Sequence, residues 1–225
     1  MKKCFEVDGY VITIIYESLE AKLPLVVINT YDENIDEIYN NVKEICDKGF
    51  IIASISNVNW NRDMSPWFMP RLFKGEDDYS GGADLYMEQL TRIIMPRINN
   101  EINNMASEYI LLGYSLAGLF SIYSLYKTGM FNRVVSCSGS MWYPEFLEYV
   151  LNNKMVLLPE RVYLSLGNLE AHTRNPLMKE VLNKTIKVRN HFIDLGIDTI
   201  YEENEGNHFK DVSLRIAKGI KAILE

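Results

Sequence analysis

The stretch Gly113-Tyr114-Ser115-Leu116-Ala117-Gly118 constrains this chain more than any other, because it follows the apolar run Tyr109-Ile110-Leu111-Leu112 and opens a helix-patterned segment over residues 119–126. An apolar run, a glycine-flanked serine and then a helix make the pattern of a tight strand-to-helix turn. There the serine takes an uncommon backbone conformation and its hydroxyl stands clear of the sheet. Such a turn needs small residues two positions either side of the serine, and Gly113 and Ala117 meet that need. Alanine at the last position departs from the strict G-x-S-x-G pattern while keeping the steric condition. Ser115 is thus a candidate nucleophile. The competing reading is a helix N-cap whose hydroxyl only accepts a backbone N–H. An acid after a later strand and a histidine after the last one, in the order serine, acid, histidine, favour the nucleophile.

The organisation around this turn is regular. Residues 3–7 and 10–16 flank Asp8-Gly9 and predict an N-terminal hairpin. Leu23-Pro24-Leu25-Val26-Val27-Ile28 reads as a buried strand, residues 33–48 as a helix and residues 50–55 as a strand. An irregular segment follows over 56–83. Residues 84–104 then predict one amphipathic helix with Leu85, Met87, Leu90, Ile93 and Ile94 on its apolar side. Further strands are expected at 133–137, 161–166 and 199–203, each followed by helical sequence. This alternation predicts an α/β fold: a three-layer sandwich with a mostly parallel sheet, an antiparallel N-terminal hairpin and helices on both faces. The 225 residues suit a single domain, 1–225. Ligands of such sheets bind at the carboxyl ends of the strands, where Ser115 falls.

A serine hydroxyl needs a base within hydrogen-bond reach, and the base needs a partner that fixes its tautomer. Of three histidines, His208 follows the last strand and precedes the terminal helix, so its loop can return over the sheet edge. His191 lies late in a helix and reads as structural, and His172 lies in a loop near the proposed acid. Glu170 follows the penultimate strand, where the orienting carboxylate belongs. Glu145 is the alternative acid, and a serine–histidine dyad without an acid is a further one. Two backbone N–H groups should face the developing oxyanion: Leu116, which follows the serine, and Tyr31, which follows the first parallel strand. The segment 56–83 leaves a strand on the same side and carries Trp60 and Trp67; with Trp142 these are all three tryptophans of the chain. They are expected to line the substrate cleft, the alternative being satellite core.

Composition narrows the partners. A net charge of −7 disfavours a nucleic-acid or anionic-membrane surface and points to a small-molecule partner. Three widely spaced cysteines suggest neither a zinc site nor a disulfide framework. The first residues lack the apolar core of a secretory signal, and no stretch has the length of a membrane span. The expectation is a cytoplasmic protein with no metal and no organic cofactor.

The segment GYSLAGLFSIYSLYKTGMFNRVVSCSGSMWY resembles the α/β-hydrolase "putative esterase" group of enterochelin and siderophore esterases, feruloyl esterases and esterase D-like proteins. In that group the elbow is followed by a helix, a strand and an S-P-S-x-W-like segment, present here as Ser138-Gly139-Ser140-Met141-Trp142. Asn61-Arg62-Asp63-Met64-Ser65-Pro66-Trp67 with Gly81-Gly82-Ala83 resembles an upstream loop of its siderophore-esterase-like branch. Tyr114, Ala117 and Gly139 depart from the residues usual in the group. The resemblance implies the α/β-hydrolase fold and a serine carboxylic-ester hydrolase working through an acyl-enzyme on siderophore-like or aryl esters. An acyltransferase of the same fold and a non-catalytic hydrolase-fold binding protein are the alternatives.

Overall fold

The computed structural model describes residues 1–31, 34–72 and 74–225. Strands β1 (Lys2–Val7) and β2 (Tyr10–Ile15) form the N-terminal hairpin. Its turn places Asp8 and Gly9 at φ 51° and 83°, the left-handed pair that matches the twist of the flanking strands. Strand β3 (Leu23–Asn29) leads to helix α1 (Ile35–Ile45), which starts on Asn34, whose side chain accepts from the N–H groups of Asp36 and Glu37. The expected helix start at Glu33 lies outside the described residues. Strand β4 (Ile51–Ser56) follows. The segment expected to be irregular contains a short helix, α2 (Trp60–Asp63), and a small antiparallel pair, β5 (Phe68–Met69) with β6 (Tyr79–Ser80).

The single helix expected over 84–104 is instead α3 (Ala83–Gln89), a π-helical turn at Leu90–Ile94, and α4 (Met95–Glu101). Pro96 explains the break, since it has no N–H for the carbonyl four residues back and its ring would strike that carbonyl. The buried stripe runs through Ala83, Tyr86, Met87, Leu90, Ile94 and Ile98, while Leu85 and Ile93 lie off it and are exposed. Beyond come β7 (Ala106–Tyr114), α5 (Leu116–Ser124), β8 (Arg133–Cys137), α6 (Phe146–Asn152), β9 (Arg161–Gly167), α7 (Val181–Asp194), β10 (Asp198–Asn204) and α8 (Val212–Leu224).

The eight long strands form one sheet in the order β1-β2-β4-β3-β7-β8-β9-β10. Pairing is parallel from β4 through β10 and antiparallel between β1, β2 and β4. Alternate side chains of each strand feed opposite faces. Leu25 and Val27 of β3 join the core under α3 to α7, whereas Val26 and Ile28 join the core under α1 and α8. Covering both faces is what permits parallel strands as apolar as these. The consequence for function is positional: the carboxyl ends of β3, β7, β9 and β10 lie at one edge, carrying Tyr31, Ser115, Glu170 and His208 on the loops that follow. Among the described residues, no helix is long and apolar enough to cross a membrane.

Candidate active site

Ser115 bridges β7 and α5 with φ 57° and ψ −121°, a strained region for a residue bearing a Cβ. The surroundings enforce it. A Cβ on Gly113 would lie 2.1 Å from the Ala117 carbonyl carbon and oxygen, and one on Gly118 would lie 2.9 Å from Ser136 Oγ. Only glycine admits so close an approach of β7 to the first turn of α5. Backbone bonds lock the turn, with Ser115 N–H donating to Cys137 O and Ser140 N–H donating to Ser115 O, both at 3.0 Å.

The three chemistry-bearing side chains meet. Ser115 Oγ lies 2.9 Å from His208 Nε2, and His208 Nδ1 lies 2.7 Å from Glu170 Oε2. An ionised carboxylate can only accept, so the proton of a neutral His208 sits on Nδ1 and Nε2 faces the serine with a lone pair. Glu170 is itself held from several sides. Its Oε1 accepts from Gly167 N–H at 2.6 Å, Ser138 Oγ–H at 2.7 Å and Arg215 Nη1–H at 3.1 Å. Burial alone would push the Glu170 carboxyl up. The hydrogen bond and charge of His208, with the donors from Ser138 and Gly167, outweigh it and hold the group below its ordinary value. Glu145, the alternative acid, is exposed at the start of α6 in a left-handed conformation. His172 is exposed, and His191 is half-buried late in α7 beside Phe192.

Leu116 is the first residue of α5, so its N–H has no acceptor within the helix. Tyr31 lies two residues beyond β3 and is 69 % exposed, its ring edge-on to Trp60 at 5.4 Å between centroids. Phe209, directly after His208, is 83 % exposed with its ring against that of His208.

The structure separates the three tryptophans, which are expected to line a cleft. Trp60 is half-buried in α2 beside Tyr31. Trp67 donates its indole N–H to Pro144 O at 3.0 Å and packs among Tyr143, Phe146 and Tyr149. Trp142 is only 8 % exposed, against Tyr143. The physical reason is that α6 and the loop before it present an aromatic surface, and Trp67 of the segment before α3 packs on it. Close approach at Gly81 seats that segment, since a Cβ there would come within 2.7 Å of Trp67 Cα.

Sequence reasoning missed Arg215, Ser138 and Tyr114. Arg215 is 1 % exposed, on the stripe of α8 that otherwise buries Ile216, Gly219, Ile220 and Ile223. An arginine within an apolar helical stripe was the available signal. Burial pushes the Tyr114 phenol up to about 12, so it stays a hydrogen-bond donor; it donates to His208 O at 2.7 Å. Among the described residues, no group of three or more histidine, cysteine or acidic side chains is arranged to hold a metal ion.

YbbA, an uncharacterized protein of Bacillus subtilis (strain 168), is 24 % identical over 177 residues, covering 74 % of this chain and 71 % of YbbA. An IroE-like serine hydrolase from Shewanella oneidensis superimposes with a TM-score of 0.81 at 19 % identity, over 100 % of this chain and 79 % of that one. The siderophore hydrolase EstB from Aspergillus nidulans does so with 0.69 at 17 % identity, over 100 % and 95 %. These likenesses establish the α/β-hydrolase fold. The "Putative esterase" family model matches residues 33–209, and with the elbow and sheet order described above it follows that the chain belongs to the "Putative esterase" family.

Proposed function

We propose that the protein is a serine carboxylic-ester hydrolase that works through an acyl-enzyme. The observation that carries this reading is the continuous hydrogen-bonded series from Ser115 Oγ through His208 to Glu170, built on a serine with φ 57°. Ser115 Oγ attacks the ester carbonyl carbon while its proton passes to His208 Nε2. The resulting oxyanion is received by the N–H groups of Leu116 and Tyr31, and Glu170 stabilises the imidazolium. The C–O bond to the alcohol breaks, and the leaving oxygen takes the proton from Nε2. Water then repeats the sequence on the acyl-enzyme, with His208 as base, and releases the acid. No metal or organic cofactor enters these steps.

The substrate reading is siderophore-like or aryl esters. The exposed Tyr31 and Phe209, the former packed with Trp60 and the latter against His208, support it, because aromatic faces hold planar groups at small entropic cost. Similarity to siderophore hydrolases points the same way. Trp67 and Trp142 would act beneath this surface as its packing. Three free cysteines, two of them buried, fit a reducing cytoplasm.

The test is covalent. A fluorophosphonate should label Ser115 and nothing else, and Ser115→Ala should abolish labelling and lower kcat on an aryl ester by about 10⁴- to 10⁶-fold with the fold retained. Near-wild-type turnover in that variant would sink the proposal. Turnover in the presence of added alcohols, with the products resolved, distinguishes hydrolysis from acyl transfer.

A further inference from the structure

We infer that Arg215, acting with Tyr114, is a positioning residue that sets the register of the His208 loop against Glu170. The inference rests on the proposed roles of those two groups but is carried by separate contacts. Arg215 Nη2 donates to both Glu205 O and Asn207 O at 2.9 Å. Its Nη1 reaches Glu170 Oε1 at 3.1 Å, and Ser138 Oγ and the Tyr114 hydroxyl at 3.2 Å. Tyr114 in turn donates to His208 O at 2.7 Å. The two remaining carbonyls of the loop are taken by the acid's own loop, with Asn168 N–H donating to Asn204 O and Leu169 N–H to Gly206 O. Every carbonyl from Asn204 to His208 therefore has a donor, and three of these five carbonyls are held by Arg215 or Tyr114, Asn207 O also accepting from Lys210 N–H.

This arrangement is more than core filling. Burying a guanidinium on an apolar helical stripe costs stability, and here Arg215 Nε is left without a partner. An isoleucine such as its neighbours would fill the volume without that loss. What only the planar fork can do is grip two carbonyls of the histidine loop with one nitrogen while holding the carboxylate with the other. Tyr114 closes the series from the elbow side, since it immediately precedes Ser115. The nucleophile's strand, the acid and the base loop are thereby tied through one buried group.

The test uses Arg215→Lys, which keeps charge and loses the fork, and Tyr114→Phe, which loses a single hydroxyl. Arg161→Ala, which removes the Arg161–Asp198 pair at the opposite end of β9 and β10, controls for general destabilisation. Both clamp variants should lower kcat and the rate of fluorophosphonate labelling, with Arg215→Lys falling on the order of 10²-fold as expected for a small misplacement of a reacting group. KM should stay within about twofold. Proton NMR of the uncomplexed protein supplies a readout independent of turnover: the far-downfield imidazole N–H resonance of the His208–Glu170 bond should broaden or vanish in both variants and persist in Arg161→Ala. If Arg215→Lys does not fold, Tyr114→Phe decides the matter alone. Folded clamp variants that keep the wild-type resonance would overturn the inference, as would wild-type labelling rates. A wild-type protein that neither hydrolyses esters nor labels would instead overturn the esterase reading, and the resonance would still test the clamp.

Discussion

Replacing Glu170 by glutamine tests the proposed mechanism at the point where the geometry is most demanding. Three donors converge on Oε1, from Gly167 N–H, Ser138 Oγ–H and Arg215 Nη1–H, whereas Oε2 meets only His208 Nδ1. A glutamine must therefore turn its carbonyl oxygen toward the three donors and its NH₂ toward His208. Two donors cannot face each other across the 2.7 Å that now separates Oε2 from Nδ1, so the imidazole moves its proton to Nε2. That nitrogen then points an N–H, not a lone pair, at Ser115 Oγ. The base is present but in the wrong tautomer, a defect that costs about 10⁴-fold in kcat where such a triad operates, or about 5.5 kcal/mol of barrier at 1.36 kcal/mol per decade. Stability should fall by no more than about 3–5 kcal/mol, the loss for a broken buried ion pair, because the amide oxygen still accepts from Arg215. The assay is single-turnover release of an aryl alcohol, run well below the variant's own unfolding temperature. A folded Glu170→Gln enzyme within tenfold of wild type would refute the reasoning and leave a serine–histidine dyad.

Other consequences can be read from the same contacts. Gly113→Ala should destabilise by about 3 kcal/mol and abolish labelling of Ser115, since the new methyl meets backbone 2.1 Å away, which no rotamer relieves; denaturant titration with probe labelling checks both. Trp67→Ala should cost about 2–3 kcal/mol of stability with KM unchanged, less than for a fully buried aromatic because Trp67 is half-buried, whereas Trp60→Ala should raise KM for an aryl ester by about tenfold with kcat kept. The reverse pattern would return Trp67 to the substrate surface. The pH dependence of stability follows from Glu170, whose folded-state value is depressed. Its contribution is present above the unfolded carboxylate value of about 4.3 and is lost as pH falls through the lower folded value. Urea midpoints should therefore drop more steeply on acidification below about pH 4 in wild type than in Glu170→Gln, and parallel curves would show that the carboxylate is not preferentially stabilised.

The fold was legible because its signals are local and repeated. Apolar runs such as Leu25 to Ile28 and the strand before Gly113 are too apolar to be covered on one face only, and the helices between them carry single stripes. Those two facts lead to a sheet covered on both sides. The hairpin followed from Asp8-Gly9, whose preference for positive φ is intrinsic to the residues. Where Pro96 interrupts the long helix, the cue was also present in the chain and the periodicity alone concealed it.

What the sequence by itself determined was thus the order and type of the sheet's long strands and most of the helices between them, the elbow at Ser115, and the placing of Glu170 and His208 on loops at one edge of the sheet. Each depends on neighbours along the chain. The tertiary structure alone decided which side chains meet. Trp60 and Trp67, seven residues apart, part company because one reaches Tyr31 while the other finds the aromatic face of α6. Glu170 rather than Glu145 faces His208 because β9 and β10 are paired in parallel, so the loops that leave them emerge side by side. Arg215 contacts the elbow strand, the acid and the histidine loop only because α8 runs along β8 and β9 with its first turn at their carboxyl ends. Contacts between residues as much as 101 positions apart follow from strand register and helix packing, and those are set by burial summed over the whole chain, which no local pattern encodes.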